Sequence, residues 1–314
     1  MGPGKLLLLD TASLYFRAFF GAPQTLTAPD GTPVNAVRGL LDFLTRLLDA
    51  TRPDALAACW DDDWRPQWRV DLISSYKLHR VVEEVEGGAD VEETPDPLAV
   101  QVPVIREALE LLGVAVVGAP GYEADDVIGT LATTWSGPVD VVTGDRDLFQ
   151  LVDDDGPVRV LYTARGVGRH EVVDGAWVRE RYGVDAAQYA DFAALRGDPS
   201  DGLPGVKGIG DKSAASLLSA HGDLAGVRAA AQRPGGWLGP AQRRALVSAA
   251  DYLDVAPTVV RVARDVDLGD PDLSIGPADG VGVAALGERW GLGGSATRAL
   301  AAVGRAARHD QNGR

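Results

Sequence analysis

The chain has 314 residues, 46% of them hydrophobic and 24% charged, with 38 glycines and 19 prolines. This is enough apolar material for one large or two modest cores, and it excludes a disordered or fibrous polymer. A single cysteine excludes an internal disulfide framework, and the formal charge of −15 argues against a polyanionic partner unless many acids are gathered in one place to hold cations.

No apolar stretch approaches the ~20 residues of a membrane span, and the start MGPGKLLLLD lacks the long apolar segment of a signal peptide. A soluble, unexported protein of a reducing cytoplasm is expected, with Cys59 as a buried thiol in the run LAACW. Leu6 to Leu9, closed by Asp10, predicts a buried strand whose carboxyl end delivers a carboxylate, and a helix from about Leu14. The pattern recurs at Ala55 to Trp60 before Asp61-Asp62-Asp63, and at Pro138 to Thr143 before Gly144-Asp145. Helical periodicity spans Val37 to Leu48, Leu98 to Leu112 and Ala124 to Trp135. Strands alternating with helices predict a parallel α/β sheet, whose ligands bind beyond the strands' carboxyl ends. Residues 83–97 are acidic and rich in turn formers, which suits a mobile loop or partly helical flap, or a plain solvated linker. After about residue 172 strand signals thin out and short helices take over, and the terminal HDQNGR reads as a frayed end.

Each acidic cluster alone reads as a helix cap or a solvated loop. In GYEADDVI, however, Glu123 and Asp126 are three apart with Asp125 beside them, and Asp145 and Asp147 share one side of a strand end. A parallel sheet would bring Asp10, Asp61, Glu123, Asp125, Asp126, Asp145 and Asp147 to one edge, where packed carboxylates repel unless cations neutralise them. Oxygen ligands imply Mg²⁺ or Mn²⁺, and a cluster of this size implies two ions, the arrangement for in-line phosphodiester cleavage. Arg65, Arg69, Lys77 and Arg80, interleaved with Trp64, Trp68 and Tyr76, form a basic track suited to single-strand phosphate and base contacts. His79 reads as a surface or packing residue. In GDPSDGLPGVKGIGDK, the glycines Gly205, Gly208 and Gly210 fit a tight hairpin between helices whose backbone N–H groups approach a phosphate, reinforced by Lys207 and Lys212. Asp198 and Asp201, just before it, can turn back toward the metal edge.

Taken in order from Leu6 to about Leu300, the segments LLLLDTASLYFRAFF, WDDDWRPQWR, SYKLHR, GYEADDVIGTLA, VVTGDRDLFQLV and GDPSDGLPGVKGIGDKSAASLL resemble the bacterial 5′-3′ exonuclease family. That family is related to flap endonucleases and to the N-terminal nuclease domain of DNA polymerase I. The resemblance implies a PIN-like α/β nuclease domain over residues 1–172, including an arch at about 76–97. It also implies a helical region over 173–300 with a helix-three-turn-helix DNA-binding hairpin at about 184–225, then a C-terminal tail, 301–314. The implied metal-holding acids are Asp10, Asp61, Glu123, Asp125, Asp126, Asp145, Asp147, Asp198 and Asp201. Asp62 competes with Asp61, because the acidic run is one residue longer than in some relatives; Asp61, directly after the strand, is favoured.

The resemblance further implies that Lys77 and Arg80 at the arch base steer the scissile phosphate, that Tyr15 and Arg17 contact the substrate strand, and that a K⁺ ion sits on carbonyls of the Gly205–Lys212 hairpin. The implied substrate is DNA with 5′ flaps, nicks, branches or single-stranded 5′ ends. The expected setting is primer and flap removal in replication and repair, by a cytoplasmic, nucleoid-associated monomer working beside a separate DNA polymerase and ligase, since no polymerase region follows. Two other readings stand beside this one. A non-catalytic DNA-structure-binding protein would use the hairpin alone. A phosphatase of the haloacid dehalogenase type would need a second Asp two residues after Asp10, where Ala12 stands.

Overall fold

The computed structural model describes residues 4–85, 90–233 and 238–313, with side chains up to residue 308. In chain order, β1 (Leu6–Asp10) runs into α1 (Thr11–Gly21), followed by α2 (Asn35–Thr51), β2 (Ala55–Cys59) and α3 (Gln67–Leu72). A 3₁₀ turn (Leu78–Arg80) leads into β3 (Val81–Glu83) and β4 (Val91–Glu92), then α4 (Asp96–Ala99), α5 (Val102–Leu111), β5 (Ala115–Val117) and α6 (Ala124–Thr134). Next come β6 (Val139–Thr143), β7 (Val158–Tyr162), β8 (Glu171–Val173), α7 (Gly175–Tyr182), α8 (Tyr189–Arg196) and α9 (Asp211–His221). The described chain closes with α10 (Leu224–Gln232), α11 (Pro240–Ser248), α12 (Ala250–Val260), α13 (Gly280–Arg289) and α14 (Gly294–Gly313).

The main sheet has the order β5-β2-β1-β6-β7-β8, parallel except for the antiparallel β7–β8 edge. β1, β2 and β6 are buried along their whole length because helices cover both faces, which is why they read as continuous apolar runs. Alternation sends Leu6, Leu8, Ala57 and Val141 to one face, under α6 and helices α7 to α12. Leu7, Leu9, Leu56 and Val142 go to the other face, under α1, α2, α5, α13 and α14. Strand order reverses between β1 and β6, because β2 and β5 lie on one side of β1 and β6 on the other. Such a reversal opens a crevice beyond the strands' carboxyl ends.

Several expectations need correction. The helix expected over Leu98 to Leu112 breaks at Gln101, whose Oε1 accepts the Ala36 and Val37 N–H groups (2.8 and 3.3 Å) at the start of α2, while Pro103 favours a fresh helix start. The 83–97 stretch includes an antiparallel ladder of β3 with β4 and the short α4; residues 86–89 lie outside the described residues. The 301–314 stretch is no separate tail, since α14 runs through Gly313 and buries Ala302, Val303 and Ala306 against the core shared with α2. The side chains of the terminal 309–314 lie outside the described residues. The helices after residue 172 pack on both faces of the sheet, and α8 and α12 also build a smaller core of their own with α3 around Ala193, Leu203 and Val259. Among the described residues no helix is long and apolar enough to cross a membrane.

Candidate active site

Three strands deliver acids to the β1/β6 reversal. Asp10 ends β1 and caps α1 through the Ser13 N–H (3.0 Å), and it accepts the hydroxyl of Thr143 from β6 (2.6 Å). Asp61, two residues past β2, accepts the Ala124 N–H (2.7 Å) at the start of α6. Asp145 follows β6 and accepts the Asp147 N–H (2.8 Å). These three, with Glu123 and Asp125, line a cavity of about 230 Å³ whose wall also includes Lys77, Arg80 and Glu92. Glu92, on β4, is a wall residue that the sequence does not single out, since it lies in the acidic stretch 83–97, which reads as a flap or a solvated linker. Asp62 is exposed and stands against Gly118, outside the cavity wall, so the geometry favours Asp61.

Burial raises the Asp10 carboxyl to about 7, with the Asp61 and Asp145 charges adding to the effect against the Thr143 and Ser13 bonds. Burial, then Asp10 and Asp145, hold Asp125 well above the usual carboxylate range. Burial, then Asp145, Asp201 and Asp198, do the same to Asp147, which opens the 3₁₀ turn Asp147–Leu151. The Asp147 Oδ1 is buried without a hydrogen-bond partner. A clustered set of hard, desolvated oxygens with one orphaned acceptor suits divalent cations by its chemistry.

Among the described residues, however, no three acidic, His or Cys side chains already meet as ligands of one ion. The pairing explains why. Glu123 Oε1 accepts Arg69 (3.2 Å) and the Tyr76 hydroxyl (2.7 Å), and its Oε2 is taken by Lys77. The protein's own cations hold part of the acidic wall, and the rest repel one another.

Arg69 organises this part of the site. Its guanidinium grips Asp126 through two bonds of 2.7 Å, donates to the Val259 carbonyl (3.0 Å) and lies over the Trp68 ring. Asp126 also accepts the Ala263 N–H (2.7 Å) and the Glu123 N–H (3.2 Å) and is wholly buried. With its oxygens engaged away from the cavity, Asp126 is a structural clamp between α6 and the chain after α12, which corrects its expected role as a metal ligand. Arg69, Arg65 and Tyr76 were expected on a DNA-binding track, but all three are buried. Arg65 donates to the Tyr76 and Ser74 carbonyls (2.6 and 3.3 Å) and pairs with Asp90, and the Tyr76 hydroxyl serves Glu123. Desolvated cations of this kind build the site from behind and do not face a ligand.

Lys77 and Arg80 do face the cavity. Burial opposes the charge on Lys77, yet the Glu123 carboxylate holds its pKa well above the ordinary lysine range, so it stays an ammonium. Its backbone is left-handed (φ 48°), a costly state for a residue with a Cβ, and it is held there by the turn at residues 198–202. The Lys77 N–H donates to the Asp201 carbonyl (3.0 Å), Ser75 Oγ to Gly202 (2.7 Å) and Arg80 to Ser200 (2.7 Å). A Cβ on Gly202 (φ 70°) would stand 2.0 Å from the Ser75 carbonyl oxygen, so only glycine permits the docking.

Through this contact the acidic turn reaches the site. Burial raises Asp201 to about 6, and it accepts Arg80 (3.3 Å). Asp198 accepts Arg196 (3.1 Å) and the Ser200 N–H (2.9 Å). Beyond the turn, Gly205 has φ 64° and packs on the backbone of Arg196 and Gly197, whereas Gly208 (φ 81°) and Gly210 face open space, with Lys207 and Lys212 exposed beside them. On the other side of the cavity, Tyr15 packs against Phe16 and Trp60. Arg17 donates to the Ala164 carbonyl (3.2 Å). Cys59 is buried and His79 exposed, as expected.

Comparison with known proteins identifies the family and the fold. Residues 5–183 match the family model for the 5′-3′ exonuclease N-terminal resolvase-like domain, and residues 184–279 match that for the 5′-3′ exonuclease C-terminal SAM fold. The chain is 62% identical over 296 residues to a 5′-3′ exonuclease of Streptomyces coelicolor, covering 94% of this chain and 98% of that one. It is 52% identical over 304 residues to one of Mycobacterium tuberculosis, covering 93% and 96%. Its fold matches the crystal structure of the bacteriophage T5 flap endonuclease in a pseudo-enzyme-product complex with DNA and metal ions, with a TM-score of 0.63 at 17% identity over 97% of this chain and 99% of that one. The chain belongs to the 5′-3′ exonuclease family.

Proposed function

We propose that the chain hydrolyses DNA phosphodiesters at 5′ ends and 5′ flaps, with divalent ions that would be held among Asp10, Asp61, Asp125, Asp145, Asp147, Asp198 and Asp201. Glu123 shares in this through the cavity wall, bound to Lys77. Mg²⁺ or Mn²⁺ held there supplies Lewis acidity toward an attacking water and the departing 3′ oxygen. Lys77 and Arg80 present fixed positive charge to the scissile phosphate. Because Glu123 keeps Lys77 protonated, its contribution is electrostatic and not proton transfer. The turn at 198–202 ties both cations to the glycine hairpin, so a duplex held by Lys207, Lys212 and the open backbone at Gly208 and Gly210 is placed in register with the cavity. The same reading includes a K⁺ ion on carbonyls of the hairpin, within a DNA-binding unit at about 184–225. The cellular role in this reading is removal of primers and flaps in the cytoplasm, at the nucleoid, by a monomer beside a separate polymerase and ligase.

The observation that carries the reading is the meeting of carboxylates from the ends of β1, β2 and β6 and the start of α6 with Lys77 and Arg80 in one cavity at the strand-order reversal. The test is a 5′-flap duplex labelled separately at both ends of the flapped strand, in Mg²⁺ and in EDTA. Mg²⁺-dependent release of an intact flap or of mononucleotides supports the reading and identifies the mode. Tight binding without cleavage in any metal supports the non-catalytic DNA-binding alternative.

A further inference from the structure

Beside the cavity, between α1, α2 and the loop after β7, lies a groove of about 1000 Å³ that shares Ser13, Phe16 and Gly144 with it. Arg17, Arg38, Arg46, Arg165 and Arg169 line this groove. The arginines around the cavity are each paired with a carboxylate, Arg69 with Asp126, Arg80 with Asp201 and Arg196 with Asp198. Among the described residues none of the five groove arginines has such a partner, and the Arg17 Nε is buried without an acceptor. In a chain of formal charge −15, five unpaired guanidinium groups in one groove form a local field of opposite sign.

One carboxylate lines the groove. Asp42 sits on α2 between Arg38 and Arg46 at spacings of four, on one helical face. It does not neutralise them, because its Oδ1 accepts Arg298 Nη2 (2.6 Å) from α14, and the same nitrogen is steadied by Ser295 Oγ (3.2 Å). Arg298 is not a lining residue of the groove, and α14 lies beyond residues 5–279, which the family models match.

We propose that this groove binds the phosphate backbone of DNA continuing from the cavity, and that Arg298 is a positioning residue that keeps the groove cationic by neutralising Asp42. That the polyanion is DNA rests on the nuclease reading. The geometry favours a chain of phosphates over a single anion, because the guanidinium groups are spread along a groove open to the cavity, and arginine suits phosphate oxygens through its planar set of donors. The cavity thus adjoins two DNA-holding elements, the groove through Ser13, Phe16 and Gly144, and the hairpin's turn through Arg80.

The test is fluorescence anisotropy of the full chain with a 5′-flap duplex in EDTA, over a series of salt concentrations. Arg165→Ala with Arg169→Ala, two exposed loop side chains, should weaken binding several-fold and make the slope of log affinity against log salt shallower by about 1–2. Arg298→Ala should also weaken binding, and adding Asp42→Asn should restore it. Unchanged affinity and slope in the loop variant overturns the groove. A loss in Arg298→Ala that Asp42→Asn does not rescue overturns the role of Arg298. If Arg298→Ala fails to fold, Asp42→Asn alone decides, because weaker binding than wild type contradicts the charge argument. Full displacement of the duplex by low-millimolar inorganic phosphate would assign the groove to a free anion and overturn the proposal. Wild-type protein that never cleaves in Mg²⁺ overturns the nuclease reading without touching the binding result.

Discussion

The cavity and the groove meet at Ser13, Phe16 and Gly144 but sort charge in opposite ways. In the cavity, carboxylates form the wall and the cations among them are held by acids, as Lys77 is by Glu123. In the groove, arginines form the wall and stand unpaired, and the one acid is neutralised from behind by Arg298. A net charge of −15 therefore describes neither surface. Acids concentrated at the sheet edge leave room for a cationic track beside them, which a phosphodiester substrate requires. The contrast also separates two kinds of arginine: buried ones that hold acids in place, and solvent-facing ones available to a ligand.

The largest expected effect tests the acidic side. Asp125→Asn removes one wall carboxylate without changing side-chain size and should lower Mg²⁺-dependent turnover by at least about 10²–10³-fold, on the scale of losing one preorganised electrostatic group. Single-turnover cleavage of a labelled flap duplex measures it, with circular dichroism confirming the fold.

Next is the clamp. Arg69→Ala leaves Asp126 buried without its cation and should destabilise the protein by about 3–5 kcal/mol, read as a lower urea midpoint. A change within ~0.5 kcal/mol, the scale of an ordinary surface substitution, would show that the Arg69 network is dispensable.

The third prediction sharpens the distinction between the arginines. Arg65→Ala should lower the thermal midpoint while leaving the salt dependence of DNA binding unchanged, because its guanidinium is fully engaged with Tyr76, Ser74 and Asp90. Arg165→Ala should do the reverse. A shallower salt slope in Arg65→Ala would place Arg65 on the substrate after all.

The smallest effect is a pH dependence. The folded protein raises Asp10 to about 7 and Asp201 to about 6, and holds Asp125 and Asp147 well above the usual carboxylate range, in each case chiefly through burial. A raised carboxyl binds its proton more tightly folded than unfolded. Its contribution to stability is therefore complete below the unfolded value and is lost as pH rises through the folded one. In EDTA, Asp10→Asn should gain thermal stability relative to wild type between pH 4 and 8, and saturating Mg²⁺ should remove that gain. A difference that is flat with pH would contradict the strain assigned to the cavity.

Much of this molecule was legible in the sequence, and the gaps have physical causes. β1, β2 and β6 were visible because strands covered on both faces are uninterrupted apolar runs, and each ended in the acid that the cavity uses. β5 and β8 have three residues each, too few for any periodicity, and the polar Arg159 interrupts β7. Asp10, Asp61, Asp125 and Asp145 line one cavity, as the sequence predicts, because the end of an element fixes where its side chain goes. Asp126, Arg65, Arg69 and Tyr76 were misread because sequence shows a charge or a hydroxyl but not its partner, and the partners at Val259 and Ala263 lie more than a hundred residues away. Of the groove arginines only Arg17 is expected on DNA from the sequence; the other four are scattered over α2 and the loop after β7, and nothing in the sequence joins them.

In the proposed reading, the carboxylates at the strand-order reversal form a metal-dependent hydrolytic site served by a cationic surface beside it. The most direct measurement is the rate of cleavage of a double-labelled 5′-flap duplex against Mg²⁺ concentration, for wild type and Asp125→Asn at equal DNA occupancy. The account predicts saturable, EDTA-sensitive cleavage by wild type and a near-complete loss in Asp125→Asn with DNA binding retained. Equal cleavage by both proteins, or cleavage that persists in EDTA, would contradict it.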